Sequence, residues 1–149
     1  MCGYSIFLGK SLSYDKFKQL YLNSNIVDRG GSGDNFDNPK EGCYIGHSLF
    51  HVTSKIPVYQ PIKSQFGFLL FNGEIYNYTD LAKTNGWLEV DSDTILLSKM
   101  IDKYGINKAV SFLYGAISIT YYDFKNELLY LYRDAWGQKP LYYNLVDDE

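Results

Sequence analysis

The sequence has few of the residues that build disulfide frameworks, metal sites or basic surfaces. Its 149 residues include two cysteines and two histidines, and the formal net charge is −3. Two cysteines do not make a disulfide framework, and the N-terminus lacks the pattern of a signal peptide, so we expect a reduced, cytoplasmic chain. The acidic balance argues against a nucleic-acid partner. No apolar run approaches the roughly 18 residues that span a membrane, so no membrane partner is expected.

Aromatic residues, by contrast, are abundant at 17% of the chain, which favours strands and argues against disorder. No linker divides the sequence, so we expect a single domain over residues 1–149. Composition and periodicity predict strands at 3–9, 43–52, 66–72, 116–124, 127–133 and 141–146, and helices at 13–23, 80–85, 93–104 and from Asn107 towards Gly115. Strands and helices in blocks predict an α+β fold with mostly antiparallel sheets.

Cys2 is the first candidate for chemistry. If Met1 is removed, one residue carries a thiol and a free α-amine, which are a nucleophile and a general base within reach of each other. The alternative is that Cys2 is a small hydrophobic residue at the start of a strand.

A second candidate follows the strand that ends at residue 72. The Asn72 side-chain amide and the Gly73 backbone N–H could both donate to one oxyanion, and Glu74 could hold a substrate ammonium. The alternative is a turn, because Asn-Gly is a common turn dipeptide.

Two further segments carry charge. Asp93, in the Asp91–Thr94 segment, begins the best helix candidate, where an acidic residue either caps the helix or serves a site. The segment from Arg133 to Tyr143 is interpreted as a structural, charged turn.

The sequence offers little support for a metal site or a cofactor site. Cys43, His47 and His51 form a C-x3-H-x3-H pattern, but no fourth ligand stands at a clear spacing. The glycines from Gly30 to Gly33 are not followed by the Lys-Ser/Thr pair of a phosphate-binding loop. We therefore expect no metal and no cofactor.

In combination and in this order, several segments resemble one family. They are MCGYSIF, RGGSGDN, GHSLFHVTSKIPVYQPI, FNGEIYNY, DSDTILLSKMIDKYG and RDAWGQKPLYY, which span residues 1 to about 143. They are similar to the glutaminase domain of asparagine synthetase, a class II glutamine amidotransferase of the N-terminal nucleophile hydrolase type. The resemblance implies a four-layer α/β/β/α sandwich and hydrolysis of glutamine to glutamate and ammonia.

The resemblance also implies roles for individual residues. Cys2 corresponds to the nucleophile after removal of Met1, and Asn72 with the N–H of Gly73 corresponds to the oxyanion hole. Glu74 and Asp93 correspond to the residues that hold the substrate α-ammonium.

One departure concerns the substrate carboxylate. The family has His-x-Arg-Leu where this chain has His47-Ser48-Leu49-Phe50, and Leu49 cannot replace an arginine that binds a carboxylate. Three hypotheses follow. In the first, the carboxylate is held by backbone N–H groups of residues 50–53 (Phe50 and Val52 among them), by Arg29 or by His51. In the second, the substrate is another glutamine-like or γ-glutamyl amide. In the third, the chain is a weakly active, partner-binding pseudo-enzyme.

Two other departures concern the loop and the partner. Gly31-Ser32 replaces the Pro-Asp of the family's RGPDxxG loop, which predicts a more permissive backbone. The sequence has no SGGxDS loop for ATP and lacks the last hairpin of the family's domain. Two expectations follow: the chain serves a separate ATP-using, ammonia-accepting synthetase subunit, or it is a fragment of a longer protein with such a domain. In either case we expect a sheet edge that this partner or a second copy in a homodimer covers.

Overall fold

The computed structural model describes residues 2–24, 31, 33–51 and 55–146. In chain order the elements are β1 (Gly3–Leu8), α1 (Tyr14–Leu22), β2 (Asp34–Lys40), β3 (Cys43–Ser48), β4 (Ile62–Lys63), β5 (Gly67–Ile75), α2 (Tyr78–Thr84), α3 (Asp93–Tyr104), α4 (Ile106–Ser111), β6 (Gly115–Asp123) and β7 (Leu128–Arg133). They divide into two compact units, residues 1–51 with 142–149, and residues 52–141.

The first unit is an antiparallel sheet of order β1-β3-β2 with α1 packed against it. Ser13 caps α1 by accepting a hydrogen bond from the Lys16 N–H, as the sequence predicts. The buried rings of Phe17 and Tyr21 face the sheet, and a Cβ at Gly46 would lie 2.5 Å from the Tyr21 ring. Gly46 therefore allows the helix to approach the central strand closely.

The second unit is an antiparallel sheet of order β4-β5-β6-β7. Its core combines side chains of β5 and β6 with side chains of all three helices of the unit. Ser92 caps α3 by accepting from the Ile95 N–H, and Gly105, with φ +76°, follows its last residue. Both ends of α3 match the prediction, because the cap and the left-handed stop are local signals.

The turn interpretation of Asn72-Gly73 is wrong. Strand β5 continues through both residues to Ile75, with Asn72 opposite Ser118 and Gly73 opposite Ile117. A Cβ at Gly73 would lie 2.2 Å from the Ala116 carbonyl oxygen. The glycine is therefore required by a close approach between strands, not by a turn.

Several other elements also differ from prediction. The strand predicted at 43–52 ends at Ser48, and α4 is capped by Gly105 rather than by Asn107. Residues 141–146 form no strand, and the side chains of residues 142–146 are exposed. Aromatic and branched residues favour a strand only where a neighbouring strand pairs with them. Strand β2, in which polar residues predominate, was not predicted.

The α+β class with antiparallel sheets is confirmed. Both sheets are antiparallel throughout; α1 packs on the first sheet, and α3 packs on the second. These are the components of the predicted α/β/β/α sandwich of the N-terminal nucleophile hydrolase type. Within the described ranges, no helix is long and apolar enough to cross a membrane.

Candidate active site

The Cys2 thiol lies beside the backbone that follows strand β3. Cys2 immediately precedes β1, and Gly3 pairs with Ser48 at the end of β3. The Phe50 N–H donates to Cys2 Sγ at 3.4 Å, and the thiol can donate to the Phe50 carbonyl oxygen at 3.7 Å. Cys2 is a free, half-buried thiol rather than a core side chain. A reagent can reach it, and one backbone donor already points at the sulfur.

Leu49 is 4% exposed and therefore does not offer its side chain to a ligand. Its N–H donates to the Gly33 carbonyl oxygen at 2.9 Å. The Phe50 ring is 45% exposed, and it lies 3.8 Å from where a Cβ of Gly31 would be. His51 is half-buried. The residues Met1, Arg29 and Val52, to which the sequence analysis assigned roles, lie outside the described residues.

Asn72 and Glu74 lie on one face of β5, because alternate residues of a strand point to the same side. Asn72 is 7% exposed and Glu74 is exposed. The opposite face, with Phe71 and Ile75, belongs to the core beneath the helices. The strand thus presents an amide and, two residues later, a carboxylate on the same surface.

Asp93 ties the start of α3 to the end of β5. Its carboxylate accepts from the Ile75 N–H at 3.1 Å and from the Thr94 N–H at 2.7 Å, whereas the capping role belongs to Ser92. Burial raises the pKa of Asp93, the hydrogen bonds from Ile75 and Thr94 oppose that rise, and the charge of Glu74 adds to it. The charge of Glu74 thus acts on the buried carboxylate of Asp93.

The segment that begins at Arg133 is organised by Asp134, which the sequence analysis treated as part of a structural turn. The buried Asp134 carboxylate accepts from four backbone N–H groups, those of Ile117, Trp136, Gln138 and Lys139. Burial opposes ionisation, but these hydrogen bonds outweigh it and lower the pKa of Asp134. These hydrogen bonds hold the turn together, and its purely structural role stays a prediction.

The C-x3-H-x3-H pattern assembles no cluster. The part of the chain that the structure describes contains no group of three or more His, Cys, Asp or Glu side chains placed to hold a metal ion. Cys43 and His47 are both fully buried in β3. Burial lowers the pKa of His47 to about 4, so its imidazole is neutral near pH 7.

Two residues beside Cys2 were missed by sequence reasoning. Tyr21 on α1 and Ser48 on β3 are buried, and their hydroxyl oxygens are 2.7 Å apart. Tyr21 fits the apolar helical period as an ordinary core residue, so only its contact with Gly3 at the start of β1 marks it.

Comparison with known proteins identifies the family. A model described as the glutamine amidotransferase domain matches residues 1–149. The chain belongs to the glutamine amidotransferase family. It is 31% identical over 131 residues to an asparagine synthetase [glutamine-hydrolyzing] of Gallus gallus, covering 83% of this chain and 23% of that protein. It is 32% identical over 137 residues to asparagine synthetase [glutamine-hydrolyzing] 1 of Bacillus subtilis (strain 168), covering 86% of this chain and 21% of that protein.

The amidotransferase domain thus spans less than a quarter of the length of these relatives. The resemblance seen in the sequence motifs is confirmed by both kinds of comparison. The chain is thus a family member that has Leu49 where the resemblance implies an arginine. The missing arginine bears on which substrate the chain binds.

Proposed function

We propose that the chain is a glutaminase, which hydrolyses the side-chain amide of glutamine through a Cys2 thioester to give glutamate and ammonia. The observation that carries the proposal is the free, half-buried Cys2 thiol beside the Phe50 N–H, in a chain of the glutamine amidotransferase family. Removal of Met1 would give the thiol an α-amine on the same residue as its base.

The proposed reaction balances without a cofactor. The α-amine takes the thiol proton as sulfur attacks the amide carbon, and the Asn72 side chain and the Gly73 N–H stabilise the oxyanion. The ammonium so formed on Cys2 gives its proton to the amide nitrogen as the C–N bond breaks, and that nitrogen leaves as ammonia. Water then cleaves the thioester, which releases glutamate and restores the thiol.

Substrate recognition would rest on the paired acidic groups. Glu74 and Asp93 interact electrostatically, and Asp93 is held by the Ile75 N–H. An α-ammonium between them would offset one of the two negative charges and reduce their repulsion. Because Leu49 is buried and apolar and the Phe50 N–H already donates to Cys2 Sγ, we assign the substrate carboxylate to the Val52 N–H, to His51 or to Arg29.

A second candidate is hydrolysis of a γ-glutamyl amide other than glutamine. The specific observation in its favour is the buried, apolar Leu49. Its side chain cannot give a free α-carboxylate the charge-assisted hydrogen bond that an arginine would give. A substrate whose carboxylate is masked would not require that partner. A catalytically weak, partner-binding chain is the remaining alternative.

The partner belongs to the same proposal. The relatives named above are asparagine synthetases that hydrolyse glutamine, and this chain spans only part of them. We propose that its ammonia passes to an ATP-using synthetase subunit or domain. A homodimer stays a prediction.

The test measures ammonia release from glutamine, asparagine and γ-glutamyl amides by the wild type, Cys2→Ala and Cys43→Ala. We expect glutamine to be the best substrate, Cys2→Ala to abolish release, and Cys43→Ala to retain it, because Cys43 is a buried core thiol. Release that survives Cys2→Ala contradicts the mechanism. A strong preference for γ-glutamyl amides supports the second candidate, and no release from any of them supports the non-catalytic one.

A further inference from the structure

Three polar side chains from separate elements meet at the end of the first sheet, next to Cys2. The Ser48 hydroxyl donates to the Asp34 carboxylate and lies 2.7 Å from the Tyr21 hydroxyl. The Tyr21 hydroxyl also reaches the Gly3 carbonyl oxygen at 3.4 Å. Asp34, Ser48, Tyr21 and Gly3 thus form a continuous chain of hydrogen bonds, which we call the Tyr21 chain.

The direction of these hydrogen bonds follows from the groups themselves. A carboxylate oxygen only accepts, so the single Ser48 proton is committed to Asp34. The Tyr21 hydroxyl must then donate to Ser48, and its proton is shared with the more distant Gly3 carbonyl oxygen. Burial raises the pKa of Tyr21 to about 12, which keeps this hydroxyl protonated and a donor near neutral pH.

Strand register places the Tyr21 chain where it can control the nucleophile. Ser48 is opposite Gly3 of β1 on one side and opposite Asp34 of β2 on the other. Gly3 follows Cys2 directly, and Phe50, whose N–H donates to Cys2 Sγ, comes two residues after Ser48. The Tyr21 chain therefore joins the backbone on both sides of the sulfur contact.

We propose that Tyr21 and Ser48 are positioning residues that hold the ends of β1 and β3 together, so that Cys2 Sγ stays at the Phe50 N–H. The proposal rests on the proposed function for its effect on catalysis. It does not make either residue a catalytic group, because both hydroxyl protons are engaged in hydrogen bonds within the protein. A small displacement of a nucleophile is costly, about 100-fold in rate for 1 Å in other enzymes.

The test compares Tyr21→Phe, Ser48→Ala and their combination with the wild type. Tyr21→Phe keeps the ring contacts with Phe17, Phe36 and Gly46, so packing is retained. We expect kcat for glutamine to fall about 10-fold in each single variant, with KM within about two-fold. The double variant should lose no more than the worse single variant, because the two hydroxyls act as one chain. Ser48→Thr, which keeps a hydroxyl, should recover most of the rate.

Tyr44→Phe is the matched control. Tyr44 lies in the same aromatic cluster, stacked on Phe7 and beside Phe17, but it is not part of the Tyr21 chain. We expect its kcat to match the wild type. An equal loss of kcat in Tyr44→Phe would overturn the proposal, because any lost hydroxyl would then have the same effect. Independent, additive losses in the double variant would overturn it as well.

A second measurement separates this inference from the proposed function. The rate of Cys2 alkylation by iodoacetamide, measured by mass spectrometry of the intact chain, needs no substrate. We expect it to change at least about three-fold in Tyr21→Phe and Ser48→Ala and not in Tyr44→Phe, because the thiolate geometry sets the rate. If the wild type releases no ammonia, the proposed function fails and alkylation still decides the positioning role. Alkylation rates like the wild type in both variants would overturn that role.

Discussion

The side-chain amide of Gln60 makes, with the backbone of Phe71, the pair of hydrogen bonds that a residue of a neighbouring strand would make. Its Nε2 donates to the Phe71 carbonyl oxygen at 2.9 Å, and its Oε1 accepts from the Phe71 N–H. Gln60 is buried, and β4 begins only at Ile62, so the carboxamide extends the pairing of β5 past the end of that short strand. Asn72, the proposed oxyanion donor, is the next residue of β5 and is therefore held on a strand anchored from both sides.

Gln60→Glu tests this anchor. The variant keeps the shape but replaces the Nε2 donor with an acceptor, so the Phe71 carbonyl oxygen loses its partner and a carboxyl group is buried. We expect the free energy of unfolding to fall by about 2–3 kcal/mol, measured by urea denaturation. Gln65→Glu, the same change at an exposed position, should alter it by less than about 0.5 kcal/mol. Equal effects at the two positions would contradict the anchor.

Local signals predicted helices α1 and α3 well. The cap at Ser92 and the stop at Gly105 lie within a few residues of the helix that they delimit, and so does the cap at Ser13. The sequence also marked Cys2 and Glu74 as candidates. Helix caps and stops depend on backbone groups that are near them in the chain, so a single sequence is enough to predict them.

Non-local features were not predictable. That Asn72-Gly73 is strand rather than turn depends on Ile117 and Ser118, more than 40 residues later. Tyr21 and Ser48 share one chain of hydrogen bonds because a helix packs across a sheet. No spacing in the sequence encodes these contacts, because pairing across the sheet decides them.

Asp93→Asn and Glu74→Gln test the proposed ammonium site. Each variant removes one of two interacting negative charges, so we expect KM for glutamine to rise at least about 10-fold with a smaller change in kcat. Glutaramate keeps the amide and the carboxylate of glutamine but has no ammonium. The preference of the wild type for glutamine over glutaramate should shrink in both variants.

Asp91→Asn is the control for the ammonium site. Asp91 lies two residues before Asp93, is exposed, and accepts from the Lys55 N–H at 3.2 Å. Its kinetics should match the wild type. If Asp93→Asn raises KM for glutaramate as much as for glutamine, the carboxylate acts on something other than the ammonium.

His47 predicts a dependence of stability on pH. Burial lowers the pKa of His47 to about 4, and the charge of Asp34 opposes that shift. Neither ring nitrogen has a hydrogen-bond partner among the residues that the structure describes. The unfolded chain, with an ordinary histidine pKa near 6.5, binds a proton that the folded chain does not bind. Stability from this group is therefore complete above about pH 6.5 and is lost as the pH falls towards 4, by roughly 3 kcal/mol in total.

His47→Leu should remove that part of the pH dependence. Urea denaturation between pH 4 and 7 would show a shallower slope in the variant, whereas His51→Gln, at a half-buried position, should keep the slope of the wild type. Carboxyl groups titrate in all three proteins, so the difference between their slopes isolates His47. Identical slopes in His47→Leu and the wild type would mean that the imidazole takes up its proton as readily in the folded chain as in the unfolded one.

Asp134→Asn tests whether the turn after β7 is purely structural. An asparagine has one acceptor oxygen where the carboxylate has two, so part of the set of four backbone N–H groups would lose its partner. We expect a loss of about 2–3 kcal/mol in the free energy of unfolding, with kcat for glutamine unchanged well below the unfolding transition. Asp80→Asn, at an exposed position in α2, should cost less than about 1 kcal/mol. A fall in kcat without a loss of stability in Asp134→Asn would place this turn in the active site, because a structural residue acts only through the folded fraction.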